Sequence, residues 1–387
     1  MSKLDELIRE LCPEGVEYKT LGEIGKFYGG LTGKSKKDFE DGNEVFITYK
    51  NVYSNPALDI YPNDKVKIAD GEKQRTLEYG DIVFTGSSET PDECGFSSVV
   101  TRKPGRKLYL NSFCFFFRLD NPKVLLPDFS KHLFRSSELR IQIGKTASGV
   151  TRYNVSKDKM AKVEIPLPPL EIQREIVRIL DNFTNLTAEL TAELTARKAQ
   201  YSHYRDKLLS YTSTAQMEKL GDTCEMKAGK AIASGLISDE CTEETPIKCY
   251  GGNGVRGYVK NANENGSYPI IGRQGALCGN VKYAEGQFYA TEHAVVVKPK
   301  EKYNPRFLYH LLTNMNLNQY KSAGAQPGLA VKNIAELVAP VPPLNVQNRI
   351  VNVLDNFEKI CSDLNIGLPA EIEARQKQYE YYRDKLL

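Results

Sequence analysis

The string PLPPLEIQREIVRILDNF at 166–183 returns as PVPPLNVQNRIVNVLDNF at 340–357, an offset of 174. A second string, Q-Y-x-x-Y-R-D-K-L-L, occurs at 200–209 and again at 378–387, an offset of 178. Weaker echoes lie upstream. LGEI at 21 matches LGDT at 220, and PDFSKHL at 127 matches PRFLYHL at 305, pairing His132 with His310 and Phe129 with Phe307. A repeat of this length constrains the fold more than composition does: one plan must be built twice. Each copy is a variable globular part, a proline elbow and a helix. The expected divisions are 1–165, 166–211, 212–339 and 340–387.

The helical parts follow from spacing. After Pro168-Pro169, apolar or aromatic residues fall at Ile172, Ile176, Ile179, Phe183, Leu186, Leu190, Leu194, Tyr201, Tyr204 and Leu208. Steps of four and three alternate, with one extra four and one gap, which is a coiled-coil seam with a stutter. The second copy supplies Val346, Ile350, Val353, Phe357, Ile360 and Leu364, then Tyr379, Tyr382 and Leu386. Gly367-Leu368-Pro369 should kink or break that helix. An unbroken helix of about 40 residues spans ~60 Å, too long for a small domain's interior. The two seams are therefore expected to pack on each other, antiparallel. The stutter coincides with a tandem, TAELTAEL at 187–194, and Phe183 to Gln200 is 17 residues whereas Phe357 to Gln378 is 21. The copies thus differ by one four-residue unit.

The globular parts read as β-rich. NEVFITYKNVY, GDIVFTG and SFCFFFRL are expected strands in the first, YPIIG and GQFYATEHAVVVK in the second. Residues 250–280 hold eight Gly and five Asn, which implies short strands and exposed loops. A helix over Leu4–Leu11 stops before Pro13 and has no second-copy counterpart. With 41% hydrophobic and 26% charged residues the chain is globular, and no apolar run approaches the ~18 residues of a membrane span. MSKLDELIRE is unlike a secretory signal, and eight scattered cysteines contain no C-x-x-C pair. Free thiols and a cytoplasmic location are expected.

Motifs of catalysis are hard to find. GNGVRG at 252–257 satisfies G-x-G-x-x-G, yet a dinucleotide site needs a helix after it, and YVKNANENG is no helix. GGLTGKS at 29–35 is one residue short of a P-loop. Four histidines show no metal spacing, and neither G-x-S-x-G nor a D/N-P-P-Y methyltransferase motif occurs. No enzyme activity, cofactor or metal is expected of the chain alone.

Recognition remains. Residues 131–162 carry eight Lys or Arg against two acids, and TRKPGRK at 101–107 has four basic residues, both able to neutralise phosphates. Gly-rich loops carry side chains that suit base edges, since Arg pairs with guanine and Asn or Gln with adenine. The candidate nucleic-acid contacts are Lys34, Lys36, Arg102, Lys145, Arg152 and Tyr153 in the first copy. In the second they are Lys230, Asn253, Arg256, Arg273, Gln274, Asn280 and Gln326. The seam is represented by Ile176, Phe183, Leu190, Tyr204, Ile350, Phe357, Leu364 and Tyr382.

The order of module, PLPPLEIQREIVRILDNF helix, module, PVPPLNVQNRIVNVLDNF helix resembles the specificity subunit of type I restriction–modification systems over essentially the whole chain. GGNGVRGY and TASGVTRYNVS resemble local motifs of that family's target recognition domains. The resemblance implies an α+β chain in which two β-rich target recognition domains are separated by two long antiparallel helices forming a coiled coil. It implies that each domain reads one half of a bipartite double-stranded DNA target. The helices would set the spacing and dock two methyltransferase subunits, motor-nuclease subunits would join, and no membrane would be involved. Two other classes compete: a protein-binding coiled-coil scaffold, and a DNA methyltransferase with fused recognition domains.

Overall fold

The computed structural model describes residues 3–210, 215–275, 277–322, 327–363 and 366–387. Two compact units share the chain: Met1–Glu189 with Ile372–Leu387, and Leu190–Glu371. The last segment of the second copy therefore belongs to the first unit.

The units repeat one sheet topology. In the first, a four-stranded antiparallel sheet runs in the order 25–29, 114–119, 82–85, 97–99; in the second the order is 224–228, 294–299, 268–272, 281–284. Beside each lies a second sheet, of three strands in the first unit and four in the second, with one parallel pair, Phe46 against Tyr109 and Cys249 against Tyr289. A two-stranded clasp leads to each elbow, Tyr18–Thr20 on Glu164–Pro166 and Gln216–Lys219 on Val338–Val341.

The apolar run CFFF is buried on both faces. Phe115 and Phe117 join one core with Ile82 and Phe84, while Cys114 and Phe116 join another with Val83. Val295 and Val297 against Ala294 and Val296 divide in the same way. Alternation along the strand feeds two cores at once, so the run is continuous rather than amphipathic.

One expected strand is corrected. In NEVFITYKNVY only Glu44–Ile47 is extended; Tyr49–Ser54 is helical. Thr48 caps that helix by accepting the Asn51 amide, and Val52 turns into the core at 0% exposure. GQFYATEHAVVVK is two strands, Gln287–Ala290 and Ala294–Pro299, with a turn between.

The helix after the first elbow runs unbroken from Leu170 to Ser210, 41 residues. The second copy's helix is broken, Leu344–Ser362 then Leu368–Leu386. Gly367 lies so close to the Asp363 and Lys359 carbonyls that a Cβ there would stand 2.6 and 2.7 Å from them. Within the first unit Phe183 stacks on Tyr382; within the second Tyr204 stacks on Phe357. Early residues of the long helix thus meet late residues of the second copy and the reverse, the order of antiparallel helices.

The seam is offset from its expected line in the second copy. Gln347, Ile350, Val351, Leu354 and Cys361 are buried, whereas Val346, Val353 and Ile360 are exposed. The helix packs on its own globular part as well as on the long helix, which turns its buried face by about one residue. Ile176 is buried, Leu190 and Phe357 are half-buried, and Leu364 lies outside the described residues. Eight cysteines are free thiols. Among the described residues, no helix is long and apolar enough to cross a membrane.

Two side chains explain why the elbow string recurs. Gln173 and Gln347 are both fully buried. Gln173 accepts the Leu126 amide and donates to the Val124 and Pro168 carbonyls. Gln347 accepts the Asn304 amide and donates to the Lys302 and Pro342 carbonyls. Each ties its elbow to the loop entering the preceding helix, and satisfies backbone groups that burial would otherwise strand.

Candidate nucleic-acid interface

In the second unit several turns converge. The strands Ile247–Gly251 and Gly254–Val259 form a hairpin whose tip is Gly252-Asn253. This is where G-x-G-x-x-G falls, and a hairpin excludes the dinucleotide reading. The Gly252 carbonyl presses so closely on Gly272 that a Cβ at 272 would lie 1.8 Å from it, so only glycine fits. Beyond Gly272, the Arg273 amide donates to the His293 carbonyl at 2.9 Å, and the Arg273 carbonyl accepts the Leu329 amide at 2.8 Å. Asn280 donates from Nδ2 to Asn253 Oδ1 at 2.8 Å, and Gln274 bridges to Gly328. Of the candidates, Asn253, Arg273, Gln274 and Asn280 are thus brought together. Arg256 is exposed on the hairpin beside Gly251, and exposed Lys230 donates its amide to the Ala290 carbonyl. Gln326 lies outside the described residues.

The first unit builds the same frame. The Gly86 amide donates to the Phe113 carbonyl at 2.8 Å, and the Val155 amide to the Gly86 carbonyl at 2.9 Å. Gly86, Phe113 and Val155 thus stand where Arg273, His293 and Leu329 stand in the second unit. Around this frame opens a cleft of about 520 Å³ lined by Tyr49, Tyr53, Ser87, Glu93, Phe113 and Arg152, among others. Tyr49 and Tyr53 stack 6.2 Å apart. Arg152 donates to Ser87 Oγ and stands 5.8 Å over the ring of Phe113, which is 58% exposed. Hydrogen bonds from Tyr53, Ser88 and Thr90 hold the Glu93 carboxyl below its usual range, so it is an ionised acceptor. Tyr153 is half-buried beside them, its carbonyl accepting the Cys94 thiol. Flat rings, a guanidinium and an ionised acceptor suit the ring and amino groups of a base.

The other first-unit candidates scatter. Lys34 is a correction: its side chain is only 8% exposed, its ammonium donating to Glu72 and to the Lys67 carbonyl at 2.6 Å. That ion pair pulls the Glu72 carboxyl down to about 2. Lys36 and Lys145 are exposed and point to no shared site. Arg102 lines a separate cleft with Asp59, Asp128 and Asp181, acidic company for a phosphate contact. The basic stretch 131–162 is also partly internal. Arg135 and Arg140 donate to main-chain carbonyls of Ser97, Gly95, Asp92 and Cys94, and burial lowers both guanidinium pKa values, Arg135 to about 10.

Sequence reading passed over Tyr49, Tyr53, Glu93 and Phe113, and over Glu292 and His293 in the second unit. The signal that finds the last pair is the repeat itself. Asn111-Ser112-Phe113-Cys114 and Thr291-Glu292-His293-Ala294 make the same turn, in which the first side chain accepts the third residue's amide.

His310, Asp355 and Glu358 bring potential metal ligands within 4.8 Å of one another. Arg306 already donates to both carboxylates, and His310 Nε2 lies 2.8 Å from Asp355 Oδ1. A cation there would compete with that guanidinium, so the cluster reads as a packing network.

The chain is thus a duplicated α+β scaffold with two differently furnished loop clusters. The chain belongs to the type I restriction modification DNA specificity domain family, whose sequence model matches residues 13–197 and again 213–374. Among relatives, the type I restriction enzyme EcoprrI specificity subunit of Escherichia coli is 48% identical over 225 residues, 54% of this chain and 56% of that one. The match thus spans about half of that relative's length. A Mycoplasma pneumoniae chain assigned as a type I specificity subunit is 37% identical over 234 residues, 58% of this chain and 92% of that one. The fold is also that of the S subunit of the M. genitalium type I restriction-modification system, at 16% identity and a TM-score of 0.57 over 97% of each chain.

Proposed function

We propose that the chain is the sequence-reading subunit of a type I restriction–modification complex and carries no catalytic site itself. Each unit reads one half of a bipartite double-stranded DNA target through its loop cluster. The long helix sets the distance between the halves. The observation that carries this reading is one backbone frame, 86/113/155 and 273/293/329, built twice and furnished with different side chains. An identical frame gives the same approach to DNA; different side chains give different half-sites.

Two methyltransferase subunits dock on the helices, and motor-nuclease subunits join the assembly. The exposed Val346, Val353 and Ile360 recur every seven residues on one face and offer an apolar stripe for that contact. The complex works in the cytoplasm, where its DNA lies.

Mapping methylated sites in a host that carries the complete system tests the reading. The expected result is one split motif, lost when this chain is deleted. A continuous motif, or methylation that persists without the chain, overturns it. The purified chain should neither bind S-adenosylmethionine nor hydrolyse ATP.

A further inference from the structure

Among the described residues, three polar atoms in the second unit are shielded from solvent and have no hydrogen-bond partner: Arg273 Nε, Glu292 Oε2 and His293 Nδ1. They belong to adjacent positions of the frame, since the Arg273 amide bonds the His293 carbonyl. Orphaned polar atoms cost free energy and are rare in folded chains, so a concentration of them marks a place where a ligand completes the bonding. The residues themselves are not sunk in the core. Glu292 and His293 side chains are 39% and 37% exposed, so a ligand meets these side chains at the surface and the shielded atoms turn to it.

Their backbone is rigid. Thr291 is fully buried; its amide donates to the Tyr250 carbonyl, its carbonyl accepts the Ala294 amide, and its Oγ1 accepts the His293 amide. Glu292 Oε1 lies 3.1 Å from His293 Nε2. With Nε2–H donating to that carboxylate, the imidazole fixes the direction of the Glu292 side chain and leaves the second carboxylate oxygen to accept.

A guanidinium donor and a carboxylate acceptor, carried on two strand ends that the Arg273–His293 backbone bond joins, match one base pair best. Guanine shows two acceptors in the major groove, O6 and N7, and its partner cytosine shows the N4 amino donor. We propose that Arg273 and Glu292 read a single G·C pair in the half-site taken by the second unit, Arg273 donating to guanine and Glu292 accepting from cytosine N4. His293 is a positioning residue acting through Glu292. The first copy cannot read that pair in the same way: Gly86, Ser112 and Phe113 stand at the three positions, with no charged group among them.

This inference rests on the proposed function, and one experiment separates the two. The full chain is expressed with its methyltransferase partner, and methylated sites are mapped for the wild type and for Arg273→Ala, Glu292→Gln and His293→Phe. The wild type should give a split motif with an invariant G·C pair in one half. Glu292→Gln should admit A·T at that position, because a Gln amide both donates to and accepts from adenine. Arg273→Ala should relax the same position about tenfold or more. His293→Phe should relax it too, while the turn survives because the first copy carries Phe113 there. All three should leave the other half-site unchanged. An unchanged motif in both Arg273→Ala and Glu292→Gln overturns the inference, as does an equal loss over all sequences or a wild-type half-site without a fixed G·C pair. A wild type with no split motif overturns the proposed function instead. Thermal melting of each purified complex checks that loss of selectivity is not loss of fold.

Discussion

Tyr379 Oη lies 2.9 Å from Nδ1 of His132, a residue 247 positions earlier. His132 Nε2 lies 2.8 Å from Asp181 Oδ1. Burial alone would raise the Asp181 carboxyl, but bonds from His132 and Lys131 hold it below its usual range, so it is an acceptor. His132 must then donate through Nε2–H and accept the tyrosine hydroxyl at Nδ1. The second unit repeats the chain of bonds with Tyr201, His310 and Asp355, its tyrosine contact longer at 3.4 Å. The motif tyrosine of each copy therefore serves the histidine of the other. The strings Q-Y-x-x-Y and L-D-N-F recur because they meet: Tyr382 on Phe183 and Tyr204 on Phe357 are the same stacking made twice.

Tyr379→Phe removes a hydroxyl and leaves a buried acceptor nitrogen unmet. A loss of about 1–3 kcal/mol is expected. Tyr201→Phe removes a longer bond and should cost less. Urea denaturation of the two variants measures the order, and equal or reversed losses would contradict the hydrogen-bond assignment.

Acid should weaken the protein through both histidines. Burial lowers the pKa of His132 and of His310 below the ordinary value of 6.5, outweighing the neighbouring carboxylates. The unfolded chain then binds protons first as pH falls. The stability due to their neutral forms is complete above about 6.5 and is lost as pH drops towards the folded values. Melting temperature should fall between pH 7.5 and 5.5. The double variant His132→Gln, His310→Gln should start lower and show a flatter profile over that interval.

Gln173→Leu and Gln347→Leu keep side-chain volume but strand an amide and two carbonyls at each elbow. Each should cost on the order of 2–4 kcal/mol, from about 1–3 per buried group with partial relaxation. Chemical denaturation checks the magnitude. A change within ~0.5 kcal/mol would mean that water replaces the side chain.

The tandem Thr-Ala-Glu-Leu lies at 187–194 in the long helix, and the boundary between the two units, Glu189 to Leu190, falls inside it. One more unit adds ~6 Å and a net turn of roughly 40° to a helix. One base pair advances ~3.4 Å and turns roughly 35°. Inserting a third unit should keep both half-sites and lengthen the unread spacer, by one base pair on the rotational match. Methylation mapping of the insertion variant reads the spacer directly; an unchanged length would mean that the helix does not set it.

Much of this was legible because it is local. The duplication, the 41-residue helix, the helix of Lys3–Leu11 and the break at Gly367 rest on periods, caps and breakers within a few residues of one another. What the tertiary structure decided concerns residues far apart in the chain. Lys34 and Lys36 read alike as free cations, but only Lys34 meets a carboxylate 38 positions away and becomes internal. In sequence Arg273 groups with Gln274 and Asn280 of its own loop, and its company with Glu292 and His293 exists only because two strand ends are joined by the Arg273–His293 hydrogen bond. The crossing of motifs, Tyr379 to His132 and Tyr201 to His310, is likewise absent from any spacing. Periodicity determines which face of a helix is apolar; which surface covers that face depends on the path of the whole chain, so the rotated seam of Leu344–Ser362 appeared only once its own globular part was packed against it.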